Sequence, residues 1–152
     1  MKKLFFSLVL CLLAVTASAQ LKSVEGKFEL RGDTGAGIGA TIGLGETFEV
    51  APSVSLYFPS VGTMFTAGAD VHYLLSIPVE KLEVYPLVGA GFWHYNYDLA
   101  NVDYSLNEFF VNVGAGARYH FHENWAAFAE EKYQIVKDYN DNFITIGISY
   151  CF

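Results

Sequence analysis

Apolar and polar residues alternate along most of this chain with a period of two. The pattern is clearest in its last segment, residues 144–152. One face of that segment is made of Ile144, Ile146, Ile148, Tyr150 and Phe152. The residues between them are small and mostly polar. Because successive side chains of a strand point to opposite faces, the segment is predicted to be a strand with one apolar and one polar face.

The same division repeats in seven earlier segments, so we predict eight strands. Their ranges are 24–31, 36–44, 47–58, 64–75, 82–97, 108–121, 125–136 and 144–152. Clusters rich in Gly, Pro, Asn and Asp separate most of them. The longest predicted loop is 98–107. Pro52 falls inside the third segment and cannot donate a ladder hydrogen bond, so we expect a bulge or a weak pairing there.

The composition indicates that the apolar faces meet lipid. Hydrophobic residues make up 53% of the chain and charged residues 16%, against ~25% charged in ordinary soluble domains. After residue 20 no run is apolar enough for a transmembrane helix. Since helices and closed barrels alone satisfy every backbone group in a membrane, the alternation predicts an all-β, eight-stranded antiparallel up-and-down transmembrane barrel. An even strand number places both ends of its wall on the periplasmic side.

The beginning of the chain is typical of an exported protein. A basic start at Lys2 and Lys3 precedes the apolar residues 4–15, and Ala17-Ser18-Ala19 is a small-residue cleavage motif. We therefore predict a signal peptide over residues 1–19, cleaved after Ala19, and a barrel domain over residues 20–152. The expected location is the outer membrane of a Gram-negative cell.

The polar face carries the charged residues, which are predicted to project into the lumen. They are Lys27, Glu29, Arg31, Glu49, Asp70, His72, Glu83, Arg118, His120, Glu130 and Lys132. Eight strands leave an interior just wide enough for side chains to fill, so opposite charges should pair. Two interpretations stay open: a salt-bridged plug that keeps the barrel shut, and a gated ion path that opens when partners exchange.

Aromatic residues near the predicted strand ends suggest the two girdles of a membrane barrel. The predicted girdle residues are Phe48, Tyr57, Phe58, Trp93, Tyr95, Tyr97, Phe121, Trp125, Tyr150 and Phe152. Tyr139 would join the extracellular group. A carbohydrate-binding role for that group, around Trp93, is the alternative interpretation.

Other chemistry finds little support. His120, His122 and Glu123 could approach a metal, but zinc needs three or four ligands and no convincing set is present, so no metal or cofactor is predicted. No arrangement of nucleophile and base indicates a catalytic residue. The formal charge of −7 gives no support to nucleic-acid binding.

Two rival functions remain to be separated. A secreted soluble barrel of lipocalin type would bury its apolar face around an apolar ligand, whereas the charges here lie on the face opposite Phe152. An outer-membrane enzyme would need a nucleophile and base near the extracellular rim, where no Ser/His pair lies. The pattern therefore favours a membrane barrel that is structural or weakly conducting.

Three short motifs resemble a known family. Val113-Gly-Ala-Gly-Ala-Arg-Tyr119 is followed by Glu123-Asn-Trp125 and Glu131-Lys-Tyr133, and Tyr85-Pro-Leu-Val-Gly-Ala-Gly91 precedes them. Together they resemble the outer-membrane protein beta-barrel family, the small-barrel group that includes the transmembrane domain of outer membrane protein A. The resemblance implies that Tyr150 and Phe152 form a signal for the barrel-assembly machinery. The partners it implies are that machinery and outer-membrane lipid, and we expect a monomer.

Overall fold

The computed structural model describes residues 19–60, 62–99, 102–138 and 140–152, with the backbone alone at 19, 97–99 and 102–104. Within these residues the chain forms eight strands. They are β1 (Ala19–Leu30), β2 (Thr34–Leu44), β3 (Phe48–Tyr57), β4 (Thr63–Tyr73), β5 (Leu82–Leu99), β6 (Val102–His122), β7 (Trp125–Val136) and β8 (Asn140–Cys151). Residues 1–18 of the predicted signal peptide, Tyr139 and the side chain of Tyr97 lie outside the described residues.

The strands close into a barrel in chain order. Each pairs with the next in antiparallel fashion, and β1 pairs with β8 to complete the ring. The predicted fold class is therefore confirmed. One end of the barrel holds both the start of β1 and the end of β8, and it is called the terminal end below; the other is called the opposite end. Among the described residues, no helix is long and apolar enough to cross a membrane.

The period of two in the sequence becomes a strict division between outside and inside. In β7 every second residue is buried and every other one is exposed. Large apolar side chains cover the outside, among them Ile38 at 67% and Phe109 at 83% exposure. Polar and charged side chains fill the inside. A soluble lipocalin-type barrel would need the reverse arrangement, so the structure gives that alternative no support.

Glu131 is a charged residue on the apolar outer face of the barrel. It is exposed on β7 and accepts a hydrogen bond of 3.2 Å from Nδ2 of Asn142 on β8. A neighbouring strand therefore supplies a polar partner for a carboxylate that alternation places among apolar residues.

The predicted loop 98–107 is wrong. β5 continues to Leu99 and β6 starts at Val102, and the ladder between them runs on to the pair Leu99↔Val102. In this extension the alternation is reversed: the apolar residues Tyr95 and Leu106 line the mouth of the barrel, whereas the polar residues His94 and Asn107 have the parity of the outward face. Because the outward residues here do not continue the apolar row that marks the other strands, the sequence of this segment resembles a loop.

Two prolines interrupt ladders on one side only. Around Pro52 the β2–β3 pairing lapses between Gly39↔Ser53 and Ile42↔Val50 without a change of register, while the β3–β4 ladder continues through Pro52↔Ala69. The result is the expected weak pairing, without a bulge. Pro86 lies next to the last β4–β5 pair, His72↔Leu87, and lacks the N–H that would extend that ladder. β4 ends at Tyr73, two residues earlier than predicted, and the pairing resumes beyond the proline at the single bridge Leu75↔Val84.

Glycines on the inner wall make room for the large aromatic rings of the interior. A Cβ built on Gly35 would lie 2.7 Å from the Tyr57 ring, and one on Gly116 would lie 2.7 Å from the Tyr85 ring. Gly91 stands in the same relation to Phe110, and Gly147 to Phe128, each at 2.5 Å. Four interior rings thus lie against strand backbone where any side chain would collide, so ring and glycine have to be present together.

We predict that Gly147→Ala lowers the free energy of unfolding by ~1–3 kcal/mol, because the new methyl group would collide with the backbone oxygen of Gly26 and with the Phe128 ring. Urea unfolding of the refolded protein in lipid vesicles measures the change. Gly26→Ala is the matched control on the neighbouring strand, since nothing lies within 4 Å of a Cβ built there. Its effect should stay within ~1 kcal/mol and should not be destabilising. Equal losses for both variants would contradict the fit of ring to glycine.

Candidate functional site

The candidate site is the charged interior of the barrel. All eleven residues predicted for the lumen lie on the inward face. Eight of them are buried: Lys27, Glu29, Glu49, Asp70, His72, Arg118, Glu130 and Lys132. Glu83 and His120 are half-exposed near the terminal end, and Arg31 lies near the opposite end with its side chain 6% exposed. The distances below show which of them the fold brings together.

Glu49 on β3 is the centre of an ion-pair cluster near the terminal end, here called the Glu49 cluster. Its carboxylate lies 2.9 Å from Nζ of Lys22 and 3.2 Å from a guanidinium nitrogen of Arg118. Arg118 also donates to Glu83 at 2.7 Å, and Glu83 lies 3.4 Å from Nε2 of His120. Because Glu49 is fully buried, these two cations supply the interactions that water gives an exposed carboxylate.

Lys132 on β7 is the centre of a second cluster, here called the Lys132 cluster. Its Nζ lies 2.6 Å from Asp70 and 2.8 Å from Glu130. Asp70 also accepts from Nδ2 of Asn112 at 3.2 Å, and Asn112 in turn accepts from Gln134 at 3.1 Å. Two carboxylates deep inside the barrel therefore share one ammonium group.

A third group, around Lys27 and Glu29 of β1, continues the polar interior. The two side chains lie 3.2 Å apart, and Nζ of Lys27 donates to Ser53 at 2.7 Å. Glu29 accepts from the hydroxyl of Ser55 at 2.8 Å and from the hydroxyl of Tyr57. Lys27 and Glu29 therefore each have an opposite charge and a hydroxyl partner.

Arg31 separates this interior from the opposite mouth of the barrel. Its guanidinium lies 4.1 Å from the centroid of the Phe143 ring and 4.9 Å from that of Tyr57. It donates to Gln134 at 3.2 Å and lies 3.6 Å from Asp141. Aromatic faces attract such a cation. Arg31 is therefore held across the opening by two rings and a carboxylate.

Two cavities show how completely the interior is filled. Between the Lys27 and Lys132 groups there is a void of about 20 Å³, which is room for about one water molecule. Outside Arg31 the mouth widens into a cavity of about 450 Å³. It is lined by Arg31, Gly32, Asp33, Met64, Trp93, Tyr95, Leu106 and Asp141. The mouth is open, whereas the interior behind Arg31 is packed.

The ten residues predicted for the aromatic girdles differ in the direction of their side chains, and the girdle itself stays a prediction. Six of the named residues are exposed on the outside: Phe48, Phe58, Phe121, Trp125, Tyr150 and Phe152. The edge-to-face contacts Trp125–Tyr150 at 5.2 Å and Tyr150–Phe152 at 5.5 Å join three of them at the terminal end. A role of Tyr150 and Phe152 as an assembly signal stays a prediction.

Three girdle residues were misassigned. Tyr57 is 1% exposed and bonds Glu29 inside the barrel, and Trp93 and Tyr95 line the mouth cavity. The reason is the strand period, which puts all three on the inward face, one or more residues away from their lipid-facing neighbours. Position along a strand predicts the height of a ring in the barrel, whereas the parity of the residue decides whether the ring faces lipid.

Sequence reasoning also missed Lys22 and Glu25. A register shift between Leu21 and Ser23 in β1 turns Lys22 inward, although alternation from Val24 places it outside. No signal in the sequence marks that bulge. Glu25, by contrast, shares the parity of Lys27 and could have been found by extending the alternation two residues. Among the described residues, no group of three or more His, Cys, Asp or Glu side chains could hold a metal ion.

Comparison with known proteins identifies the family. Residues 24–152 match the model of the family described as "Outer membrane protein beta-barrel domain".

The chain belongs to this family.

The resemblance seen in the sequence is thereby confirmed, and the family supports outer-membrane localisation. No curated protein matches the sequence.

Solved structures show the same fold. The N-terminal barrel domain of Pseudomonas aeruginosa OprF is 24% identical, with a TM-score of 0.67 over 88% of this chain and 100% of that chain. Neisserial surface protein A is 15% identical, with a TM-score of 0.68 over 88% of this chain and 99% of that chain. A major outer membrane protein of Thermus thermophilus is 15% identical, with a TM-score of 0.67 over 89% of this chain and 100% of that chain. At these identities the comparison speaks for the fold alone.

We predict that Lys132→Ala lowers the free energy of unfolding by ~3–5 kcal/mol, because it leaves the buried Asp70 and Glu130 without a cation. Lys137→Ala, at an exposed position just past the end of the same strand, is the control and should change stability by no more than ~0.5 kcal/mol. Urea titration followed by tryptophan fluorescence measures both. A Lys132 variant as stable as the control would show that the cluster does not hold the interior together.

Proposed function

We propose that this protein is a non-catalytic, structural barrel of the outer membrane whose lumen is closed by paired charges. The observation that carries the proposal is the filled interior. Ion pairs run through it from Lys22–Glu49 near the terminal end to Arg31–Asp141 near the opposite end, and the void among them is about 20 Å³. A hydrated ion needs a continuous water-filled path. A void of one water molecule between packed side chains does not provide one.

The barrel dimensions support closure. Eight strands enclose a space just wide enough for side chains. Tyr57, Tyr85, Phe110, Phe128 and Phe143 are all buried in that space, at 0–6% exposure. Aromatic rings packed against glycines fill the volume of the lumen, and the charged side chains between the rings are held in ion pairs. Both features favour a plug over a permanent pore.

A weakly conducting, porin-like barrel is the second candidate, and Arg118 is the observation in its favour. This guanidinium contacts two carboxylates at once, the fully buried Glu49 and Glu83, whose side chain is 34% exposed. If the Arg118 guanidinium released Glu49 and kept Glu83, its positive charge would move toward the terminal end and would still be paired. Such a movement could open a transient path through the Glu49 cluster.

Lipid and the assembly machinery are the partners that we propose. The outside of the barrel presents many large apolar side chains, as a lipid-facing wall should. The exposed Phe152 beside Tyr150 supports recognition of the last strand during assembly. A monomer, with the predicted signal peptide removed after Ala19, is the form proposed for the mature protein.

Fractionation and gel mobility test the location. The mature chain should be recovered with outer membranes and should migrate differently in gels before and after boiling, because a closed barrel resists detergent until it is heated. Recovery as a soluble periplasmic protein with no shift in mobility would contradict a membrane barrel.

Ion flux tests the closed lumen. We predict that the wild-type barrel in planar bilayers shows at most small, brief conductance, and that Tyr85→Gly combined with Arg118→Gly raises it at least ~10-fold by emptying the space that these side chains fill. Tyr133→Gly combined with Lys137→Gly is the matched control, since it removes a lipid-facing tyrosine and an exposed cation instead. A large steady conductance of the wild-type protein would refute closure.

A further inference from the structure

The cavity at the opposite mouth of the barrel has the size and the walls of a small-molecule site. Its volume of about 450 Å³ lies within the range of ~300–1,000 Å³ that is usual for such sites. Its lining combines the rings of Trp93 and Tyr95 with the charged groups of Arg31, Asp33 and Asp141. Because both rings face this cavity, membrane anchoring does not account for their presence.

The rings and the charged groups lie on opposite walls of the mouth. Trp93 and Tyr95 both belong to β5 and share one face, ~7 Å apart along the strand. Arg31 and Asp33 lie in the turn after β1, and Asp141 lies on β8. In the closed ring β5 is four strands away from β1, so the two walls face each other. A ligand in the mouth therefore meets rings on one side and charged groups on the other.

The mouth opens to water. Along β5 and β6 the outward face is apolar as far as Phe92 and Phe109 and becomes polar at His94 and Asn107, which pair at 2.6 Å. The lipid-facing band of a membrane barrel is apolar, so its edge lies between these two levels, and Tyr95 lies beyond that edge. In a barrel whose termini are periplasmic, this end faces the outside of the cell. External solutes can therefore reach the cavity.

Arg31 has hydrogen-bond donors to spare in the floor of this cavity. Its side chain is 6% exposed, and Nη1 donates to Gln134 at 3.2 Å. Nε lies 3.6 Å from Asp141, which is too long for a hydrogen bond. Among the described residues, Nε and Nη2 have no hydrogen-bond partner. A buried donor without a partner is unfavourable, so a ligand that brings an acceptor to Arg31 gains from this arrangement.

Sugar hydroxyl groups match the polar wall, and a sugar ring matches the aromatic wall. A hydroxyl has one O–H to donate and lone pairs that accept. It can accept from the spare donors of Arg31 and donate to the carboxylate of Asp33 or Asp141. The C–H groups on one face of a sugar ring form an apolar surface whose hydrogens are slightly positive, and this surface suits the negative face of an aromatic ring. One molecule of this class satisfies both walls.

The charges of the mouth disfavour ions. Among the lining residues, the carboxylates of Asp33 and Asp141 face the single guanidinium of Arg31, and Glu108, opposite Trp93 in the β5–β6 ladder, adds another carboxylate on the inward face. An anion would meet these negative charges. A cation would meet the positive charge of Arg31 and would leave its donors unpaired. An uncharged ligand rich in hydroxyl groups avoids both conflicts.

We propose that the opposite mouth binds an uncharged sugar, with one face of a sugar ring on Trp93 or Tyr95 and its hydroxyl groups between Arg31 and the two aspartates. Free disaccharides and the ends of longer neutral glycans share this chemistry. The site goes beyond the proposed structural role of the barrel. Arg31 closes the lumen beneath the ligand, so the sugar is held at the surface and is not transported.

The fluorescence of a single tryptophan tests the site. The chain has two tryptophans, and Trp125 lies on the lipid-facing side at the terminal end. Trp125→Phe therefore leaves Trp93 as the reporter. In phosphatidylcholine vesicles this protein is titrated with maltose, cellobiose and lactose, with linear glycans that end in the same units, and with sulfated lactose and tetramethylammonium as charged probes. At least one neutral sugar should change the Trp93 emission saturably and should bind more tightly than either charged probe.

Variants of the polar wall test where the sugar binds. Arg31→Met and Asp141→Ala, each made in the Trp125→Phe protein, should weaken binding by about tenfold or more, in line with the usual strength of hydrogen bonds to charged groups. Lys137→Met and Asp138→Ala are the matched controls, since they remove the same charges at exposed positions on the same end of the barrel, outside the lining of the cavity. They should bind as the parent protein does. Heat-modifiable gel mobility shows which variants fold, and Asp141→Ala decides the question if Arg31→Met does not fold.

Three results would overturn the sugar site: no saturable response to any neutral sugar, tighter binding of a charged probe, or equal affinities in the mouth variants and their controls. Binding of the longer glycans as well as the free disaccharides assigns the ligand to chain ends, and binding of the free sugars alone assigns it to small solutes; both support the site. Conductance of the same vesicle protein in planar bilayers checks the closed lumen separately. A large steady current would refute closure even if sugar binds, whereas a folded, non-conducting barrel that does not respond to sugar would refute the sugar site alone.

Discussion

The closure of β1 onto β8 is the constraint on which the rest of this structure depends. In an apolar medium every backbone N–H and C=O has to be paired within the protein, and a sheet meets that requirement when it has no edge. Closing the described strands into one ring fixes a narrow interior. The interior cannot remain an empty cylinder. Aromatic rings fill it, and glycines on the inner wall leave the room that those rings need. The charged clusters follow from the same narrowness, since charges that cannot reach water have to reach one another.

Alternation was sufficient to predict the wall of the barrel and insufficient to predict its interior contacts. Strand identity, the apolar outside and the inward direction of the eleven charged residues all follow from a period of two, which each strand displays locally. Lys22 shows where the rule stops. A bulge shifts the parity within one strand, and nothing in the local sequence marks that shift. Tyr57 is a different case, because its position near a strand end fits a girdle whereas its parity turns the ring inward.

The pairing of charges was beyond sequence reasoning for a geometric reason. Arg118 on β6 meets Glu49 on β3, which is three strands and 69 residues away, and Lys132 on β7 meets Asp70 on β4. These partners lie across the lumen from each other. Their heights depend on the tilt of the strands and the stagger of the whole ring, which are properties of the closed barrel. A sequence shows which face a charge occupies, whereas the partner is set only when all the registers are set.

The charges inside the barrel also help to explain why the strands have one register. A slip of one residue moves every side chain of a strand to the opposite face. With an apolar interior, such a slip would exchange apolar for apolar, and lipid could tolerate it. Here a slip of β7 would bring Glu131 and Tyr133 inside and send Glu130 and Lys132 into the lipid, which places two charges in hydrocarbon and leaves the buried Asp70 without its cation. Buried ion pairs often contribute little net stability compared with well-packed apolar groups, but they penalise wrong arrangements strongly. We infer that the interior network of this barrel determines which face turns inward at least as much as it stabilises the folded state.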